Sequence, residues 1–168
     1  MPDVTSPLAA GAIGRAGARL LSNRRLVRPP IWLYRARLGF LFGSRMLLLE
    51  HVGRKTGARR YVVLEVVGHP MPGTYVVASG FGDRAQWYRN VVVEPRVRVA
   101  SGARALSPAT ARRLSVGEAD AVLAVYVSKH RRAWNRFKSI LKNTLGTAIS
   151  EDDTEMPMVE LRLDGAGS

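Results

Sequence analysis

The 168 residues, 46% hydrophobic and 23% charged, suit one domain with a sizeable core and are short for two. The absence of cysteine excludes disulfides, thiolate zinc sites, cysteine-ligated iron–sulfur clusters and cysteine nucleophiles. The formal net charge of +13 is concentrated early, with 12 basic and 2 acidic side chains in residues 1–60, which points to an anionic partner: a phosphate-bearing cofactor, a nucleic acid or an anionic membrane surface.

The first ten residues lack a basic stretch followed by an apolar one, so no signal peptide is expected. Residues 8–28 mix Ala, Leu and Arg and read as a helix weakened by Gly11, Gly14 and Gly17. Pro29 and Pro30 break the chain, and residues 31–42 read as a second helix with Pro30 in its first turn. Arg35, Arg37 and Arg45 interrupt the most apolar zone, so no membrane span is expected. Both helices are basic and amphipathic. They suit either a cap on the domain or a peripheral contact with anionic lipid at the inner face of a membrane, in an otherwise cytoplasmic protein. This gives a basic helical segment over residues 1–45, followed by the main domain over 46–168.

From Met46 the pattern changes to short apolar runs of the length and Val content of strands: Met46–His51, Tyr61–Val67, Thr74–Ser79, Val97–Ala100 and Met158–Leu163. Ala103–Leu106 is expected to pair back onto the fourth run through Ser101-Gly102. His69-Pro70-Met71-Pro72-Gly73 reads as a hairpin turn. Asp83–Val93 reads as a helix with Asp83 as N-cap, ending before Pro95. Val116–Leu145 is the longest helix, with a Ser115–Glu118 capping box and Gly146 at its end. Short connections between the strands argue for an antiparallel sheet or barrel rather than a doubly wound fold.

No HExxH, GxSxG or Walker A motif is present. His51, His69 and His130 fall in different elements, so no metal site is expected. The strands are Val-rich and aromatic-poor, which disfavours nucleic-acid binding. Two segments stand out. Gly53-Arg54-Lys55-Thr56-Gly57-Ala58-Arg59-Arg60 places four cations and a hydroxyl around two glycines between strands, a concave anion site. Ala78-Ser79-Gly80-Phe81-Gly82-Asp83 leads from a strand into a helix start, where backbone approaches a ligand closely, and Trp87 and Tyr88 follow as candidate aromatic walls. Together they describe a site for a flat cofactor carrying phosphate.

The stretches LLLEHVGRKTGARRYVVLEVV (Leu47–Val67), YVVASGFGDRAQWYRNVVVEPRVRV (Tyr75–Val99) and RALSPATARRLS (Arg104–Ser115) resemble, in order and spacing, the deazaflavin-dependent nitroreductase family, whose members use coenzyme F420. The resemblance covers about residues 45–130. It implies an α+β, mainly β fold: an antiparallel split β-barrel with flanking helices. Arg54, Lys55, Thr56, Gly57 and Arg60 would hold the phosphate and oligoglutamate tail, and Tyr61, Val62 and Val63 would line the groove beyond. Ala78, Ser79, Gly80, Phe81 and Gly82 would pass close to the deazaflavin ring, and Trp87, Tyr88 and Asn90 would buttress that loop. Relatives carry Lys-Gly-Gly where this chain has Gly80-Phe81-Gly82, a departure that bears on nitro reduction more than on the coenzyme. The resemblance implies an F420-dependent oxidoreductase that passes hydride to an electron-poor, apolar small molecule, whether quinone, enone or nitro compound. Tyr126 is the first choice of proton donor and Tyr88 the second. An FMN-binding barrel and a non-catalytic F420 carrier remain the alternatives, and pairing into a homodimer is compatible with the apolar strands.

Overall fold

The computed structural model describes residues 44–145 and 156–165. The two basic helices expected over residues 8–28 and 31–42, the helix end at Gly146 and the acidic stretch Glu151–Glu155 lie outside these residues. A short 3-10 turn at Ser44–Arg45 leads into β1 (Met46–Val52). β2 (Arg59–Gly68), β3 (Thr74–Ala78), α1 (Gln86–Val93), β4 (Arg96–Ser101), β5 (Ser107–Arg113), α2 (Val116–Leu145) and β6 (Met158–Leu163) follow. The strands close into a barrel in the order β1-β2-β3-β6-β5-β4. All neighbouring pairs are antiparallel, and Leu48 opposite Ala100 lies in the β1–β4 pairing that completes the circuit. The barrel expected from the sequence is therefore the fold observed.

Alternation along each strand builds the interior. Leu47 and Leu49 of β1 point inward with Val97 and Val99 of β4, Tyr75 and Val77 of β3, and Val159, Leu161 and Leu163 of β6. Each fully buried aliphatic side chain stabilises by about 1.5–3 kcal/mol. Trp87, Tyr88 and Val91 of α1 pack into the same core. The other helix, α2, lies on the outside. Its Leu123, Tyr126, Val127 and Trp134 cover Val76 of β3 and Met158 of β6. Its start carries the expected capping box: the Ser115 backbone N–H donates to Glu118 Oε2 at 2.8 Å, and the Glu118 N–H donates to Ser115 Oγ at 3.4 Å. The helix changes direction at His130, whose φ of −131° and ψ of 40° are non-helical.

Two local expectations are corrected. The strand facing β4 is Ser107–Arg113, not Ala103–Leu106. Its inward residues are the small Ala109 and Ala111, which produce no long apolar run. Asp83 is not the N-cap of α1: it sits in a separate 3-10 turn, Gly82–Arg84, and Ala85 caps α1 with no side-chain hydrogen bond.

One feature of the barrel prepares the site. β2 is ten residues long, but its register with β3 covers only Val66 opposite Val77 and Gly68 opposite Val76, across a bulge. The first part of β2 pairs with β1 alone among the described strands, while its end closes the barrel against β3. No helix among the described residues is long and apolar enough to cross a membrane.

Candidate functional site

The basic turn between β1 and β2 is tightly wound. Gly53 N–H donates to the Ala58 carbonyl at 2.8 Å, and Gly57 N–H donates to the Gly53 carbonyl at 2.7 Å. Gly57 has a φ of 65°, in the left-handed region where glycine is unstrained. Gly53 leaves room for its neighbours: a Cβ there would lie 2.7 Å from Arg60 Nε and 3.0 Å from Thr56 Oγ1. Arg60 therefore folds back over the turn. Lys55, Thr56, Arg59 and Arg60 are exposed. Arg59 pairs with the buried Glu50 at 3.8 Å. No acidic side chain among the described residues pairs with Lys55 or Arg60.

Arg54 has a different place. Its Nη1 donates to Gln86 Oε1 at 3.0 Å and to Asn90 Oδ1 at 2.9 Å, and its backbone N–H donates to the same Asn90 oxygen at 3.2 Å. The turn is thereby fastened to α1. Asn90 Nδ2 reaches His51 Nδ1 at 3.1 Å. Burial, opposed by a backbone hydrogen bond at Val52 and reinforced by the charge of Arg60, pushes His51 down to about 4, so the imidazole is neutral.

From the turn, β2 carries Tyr61, Val63 and Glu65 on its outer face, while Val62, Leu64 and Val66 pack against the barrel core. Tyr61, Val62 and Val63 thus do not line one surface. Arg59 to Glu65 spans about 20 Å at roughly 3.3 Å per residue. Beyond Glu65 lies a groove of about 430 Å³ between the end of β2 and α2, whose lining includes Arg45, Glu65, Val67, Val122, Tyr126 and His130. Tyr126 donates its hydroxyl to Glu65 Oε1 at 3.0 Å, and Arg45 Nη2 lies 3.6 Å from the same oxygen. Burial first, then the charge of Glu65, pushes the phenol up to about 12.

The Ser79–Gly82 loop closes on itself. Ser79, fully buried, donates through Oγ to the Gly82 carbonyl at 2.6 Å, and its backbone N–H donates to the Pro157 carbonyl at 2.8 Å. Ala78 and Gly80 are half-buried, while Phe81 presents an exposed ring. Trp87 and Tyr88 do not form an open wall: they meet edge to face, with centroids 6.0 Å apart, inside the core. Tyr88 is thus packed in the barrel, whereas Tyr126 lines the groove. Asn90 is bonded to the basic turn and His51 rather than to the Ser79–Gly82 loop.

Reading the sequence singled out neither His51 nor Glu65 for the site. Glu65 carried a signal, as the lone carboxylate in a Val-rich strand with the parity of Tyr61 and Val63. His51 had only its place between an apolar run and a glycine. No cluster of His, Asp and Glu suited to a metal occurs among the described residues.

These residues fit an elongated anionic cofactor. Among the described residues, two cations without acidic partners top a glycine turn, a half-exposed strand whose first part pairs on one side only leads away from it, and an exposed aromatic ring stands in the neighbouring loop. The family model described as F420H(2)-dependent quinone reductase matches residues 27–150. Among solved structures, one described as "Structure of F420-H2 Dependent Reductase (FDR-A)" has a TM-score of 0.51 and 23% identity, covering 71% of this chain and 96% of its own. One described as a domain-swapped dimer has a TM-score of 0.51 and 24% identity, covering 71% and 81%. The Atu2129 protein of unknown function from Agrobacterium tumefaciens has a TM-score of 0.51 and 18% identity, covering 81% and 55%. At such identities these structures establish the fold. No curated protein matches the chain.

Proposed function

This chain belongs to the F420H(2)-dependent quinone reductase family, and on that premise we propose that its acceptor is a quinone bound in the groove beside Tyr126. The chain is an F420-dependent reductase, which sets aside the FMN and carrier alternatives. Bound reduced F420 supplies a hydride, and the protein supplies binding, orientation and electrostatics. Lys55 and Arg60 hold the coenzyme's anionic end, with charge-assisted contacts that Thr56 and the turn supplement. The open edge of β2 and the Ser79–Gly82 loop flank its flat portion, and the exposed ring of Phe81 offers a stacking face.

The observation that carries this reading is the continuity of β2. One strand joins the basic turn to the groove over about 20 Å, so an extended coenzyme anchored at one end reaches the other. The groove has apolar flanks in Val67 and Val122 and a polar end in Tyr126, Glu65 and Arg45, which suits a ring bearing oxygen substituents. Tyr126 keeps its proton at neutral pH and holds it toward Glu65. With its one O–H committed to Glu65, Tyr126 does not act as the acid, and its oxygen is left only to accept from a hydroxyl of the bound ring. The test is reduction of a quinone, an enone and a nitroarene by the protein with reduced F420, following return of the oxidised coenzyme's absorbance. Turnover of the quinone at least tenfold faster than the others supports the proposal, and a preference for the enone or nitroarene overturns it.

A further inference from the structure

The link between the basic turn and α1 passes through one buried side chain, and its chemistry leaves no freedom of assignment. Both groups that Arg54 turns toward Asn90 are donors, because a guanidinium and a backbone N–H have nothing with which to accept. The carboxamide oxygen of Asn90 must therefore face Arg54, and its NH2 must face His51. That NH2 is also a donor, so His51 Nδ1 accepts and the ring proton sits on Nε2. The chain of dependence runs from imidazole to carboxamide to turn. Asn90 and His51 are both buried, at 3% and 4% exposure, so water does not substitute for either partner.

We propose that His51 and Asn90 are positioning residues for the coenzyme-binding turn: the neutral imidazole fixes which way the Asn90 carboxamide points, and the carboxamide fixes Arg54. The proposal rests on the reading that this turn holds the anionic end of F420. Arg54 is then part of the scaffold, and Lys55 and Arg60 meet the ligand. Preorganisation is the gain, since a turn already tied down at Arg54 loses less conformational freedom when an anion binds. A protonated His51 would set N–H against NH2, and a rotated carboxamide would set NH2 against the two Arg54 donors. Burial opposes protonation of His51 most, and so does the charge of Arg60, which lies opposite it in the β1–β2 register, while a backbone hydrogen bond at Val52 favours it; Arg54 lies across Asn90. No carboxylate among the described residues pairs with the ring.

The experiment measures F420 binding by fluorescence titration and, in coenzyme-free protein, hydrogen exchange of the Arg54 amide. The proteins are wild type, Asn90→Ala, Arg54→Ala, the double variant, His51→Gln and Lys55→Ala. Asn90→Ala is expected to weaken binding roughly tenfold, the value of a lost charge-assisted contact, and to speed Arg54 exchange. The double variant is expected to bind no more weakly than the worse single one, because the two residues act as one unit. His51→Gln is expected to bind within about threefold of wild type, its side-chain oxygen accepting from Asn90 as the imidazole does. Wild-type affinity in Asn90→Ala, or multiplying losses in the double variant, overturns the proposal. If Lys55→Ala also binds normally, the coenzyme-site reading fails, and the exchange rate still decides whether Asn90 holds Arg54. Should Asn90→Ala not fold, Asn90→Asp keeps an acceptor for Arg54 and presents a carboxylate to His51. It is expected to raise the His51 titration, followed by NMR, while Arg54 stays protected; an unmoved titration overturns the proposal.

Discussion

Tyr126 of α2 and Glu65 of β2 share a hydrogen bond of 3.0 Å, with the phenol as donor and the carboxylate as acceptor. The pair joins α2 to the outer face of β2, and Arg45, in the turn before β1, adds its charge. Burial and the neighbouring carboxylate both disfavour a phenolate, and Arg45 only partly offsets them.

The phenol supplies the first prediction. Tyr126 titrates near 12 against the usual 10. A raised pKa contributes stability that is full below pH 10 and is lost as pH rises toward 12. Ultraviolet titration of the tyrosines is expected to lose a step near 12 in Tyr126→Phe. In Glu65→Gln that step is expected to move down toward 10. An unchanged titration in Glu65→Gln would show that the carboxylate has no hold on the phenol.

His51 gives an acid-side counterpart of opposite sign. It titrates near 4 in the fold and near 6.5 when unfolded. Its contribution is therefore full above pH 6.5 and declines as pH falls toward 4, by about 3 kcal/mol in all. Urea unfolding of wild type and His51→Gln at pH 7 and pH 4 checks this. Wild type is expected to lose about 3 kcal/mol more than the variant, since all other acid-sensitive groups are common to both. Equal losses would mean that His51 is not buried as described.

The two turn glycines separate a steric demand from a conformational one. Gly57→Ala meets nothing within 4 Å but must hold a φ of 65°. It is expected to cost about 1–2 kcal/mol in stability. Gly53→Ala instead puts a methyl 2.7 Å from Arg60 Nε, at the end of a flexible side chain. Stability is expected to change little, because Arg60 swings away, while F420 affinity falls with the displaced cation. Thermal melts and coenzyme titration distinguish the two. A Gly53→Ala protein that binds as wild type would remove Arg60 from the site.

How much of this was legible follows from which residues carry each element. β1 and β6 announce themselves because large aliphatics, Leu47 and Leu49 or Val159, Leu161 and Leu163, occupy their inward positions. β5 does not. Its inward residues are Ala109 and Ala111, it opens with Ser107 and Pro108, and it ends in two arginines, so its identity comes from β4 and β6 on either side. The capping box of α2 is local and was readable, whereas the start of α1 at Ala85 has no cap to read. The basic turn was visible as glycines among cations between two strands. Its wiring was not, since Arg54 and Asn90 meet across 36 residues of sequence through the closure of the barrel. For the same reason Trp87 and Tyr88 read as walls of a pocket although they fill the core: aromatic side chains announce burial, not which side they are buried from.

The last prediction concerns the contact that sets the width of the groove. Gly68 lies at the bulged end of β2, and a Cβ there would stand 2.8 Å from Val122 Cγ1 and 3.4 Å from Val76 Cβ. Its backbone angle is accessible to alanine, so the obstacle is steric alone. A valine on a helix has essentially one χ1 rotamer, and Val122 cannot swing aside. The helix must therefore retreat from β2. Val122 and Tyr126 are four residues apart on the same helix face, so the retreat carries Tyr126 away from Glu65. Gly68→Ala is expected to destabilise by about 1–3 kcal/mol, as overpacking does. The Tyr126 titration is expected to move down from about 12 as the phenol gains solvent and loses the carboxylate. Adding Val122→Ala removes the colliding methyl, so the double variant should be more stable than the sum of the two single losses allows. Additive losses, or a Gly68→Ala protein with wild-type stability and an unmoved phenol, would mean that α2 does not press on β2 at this point.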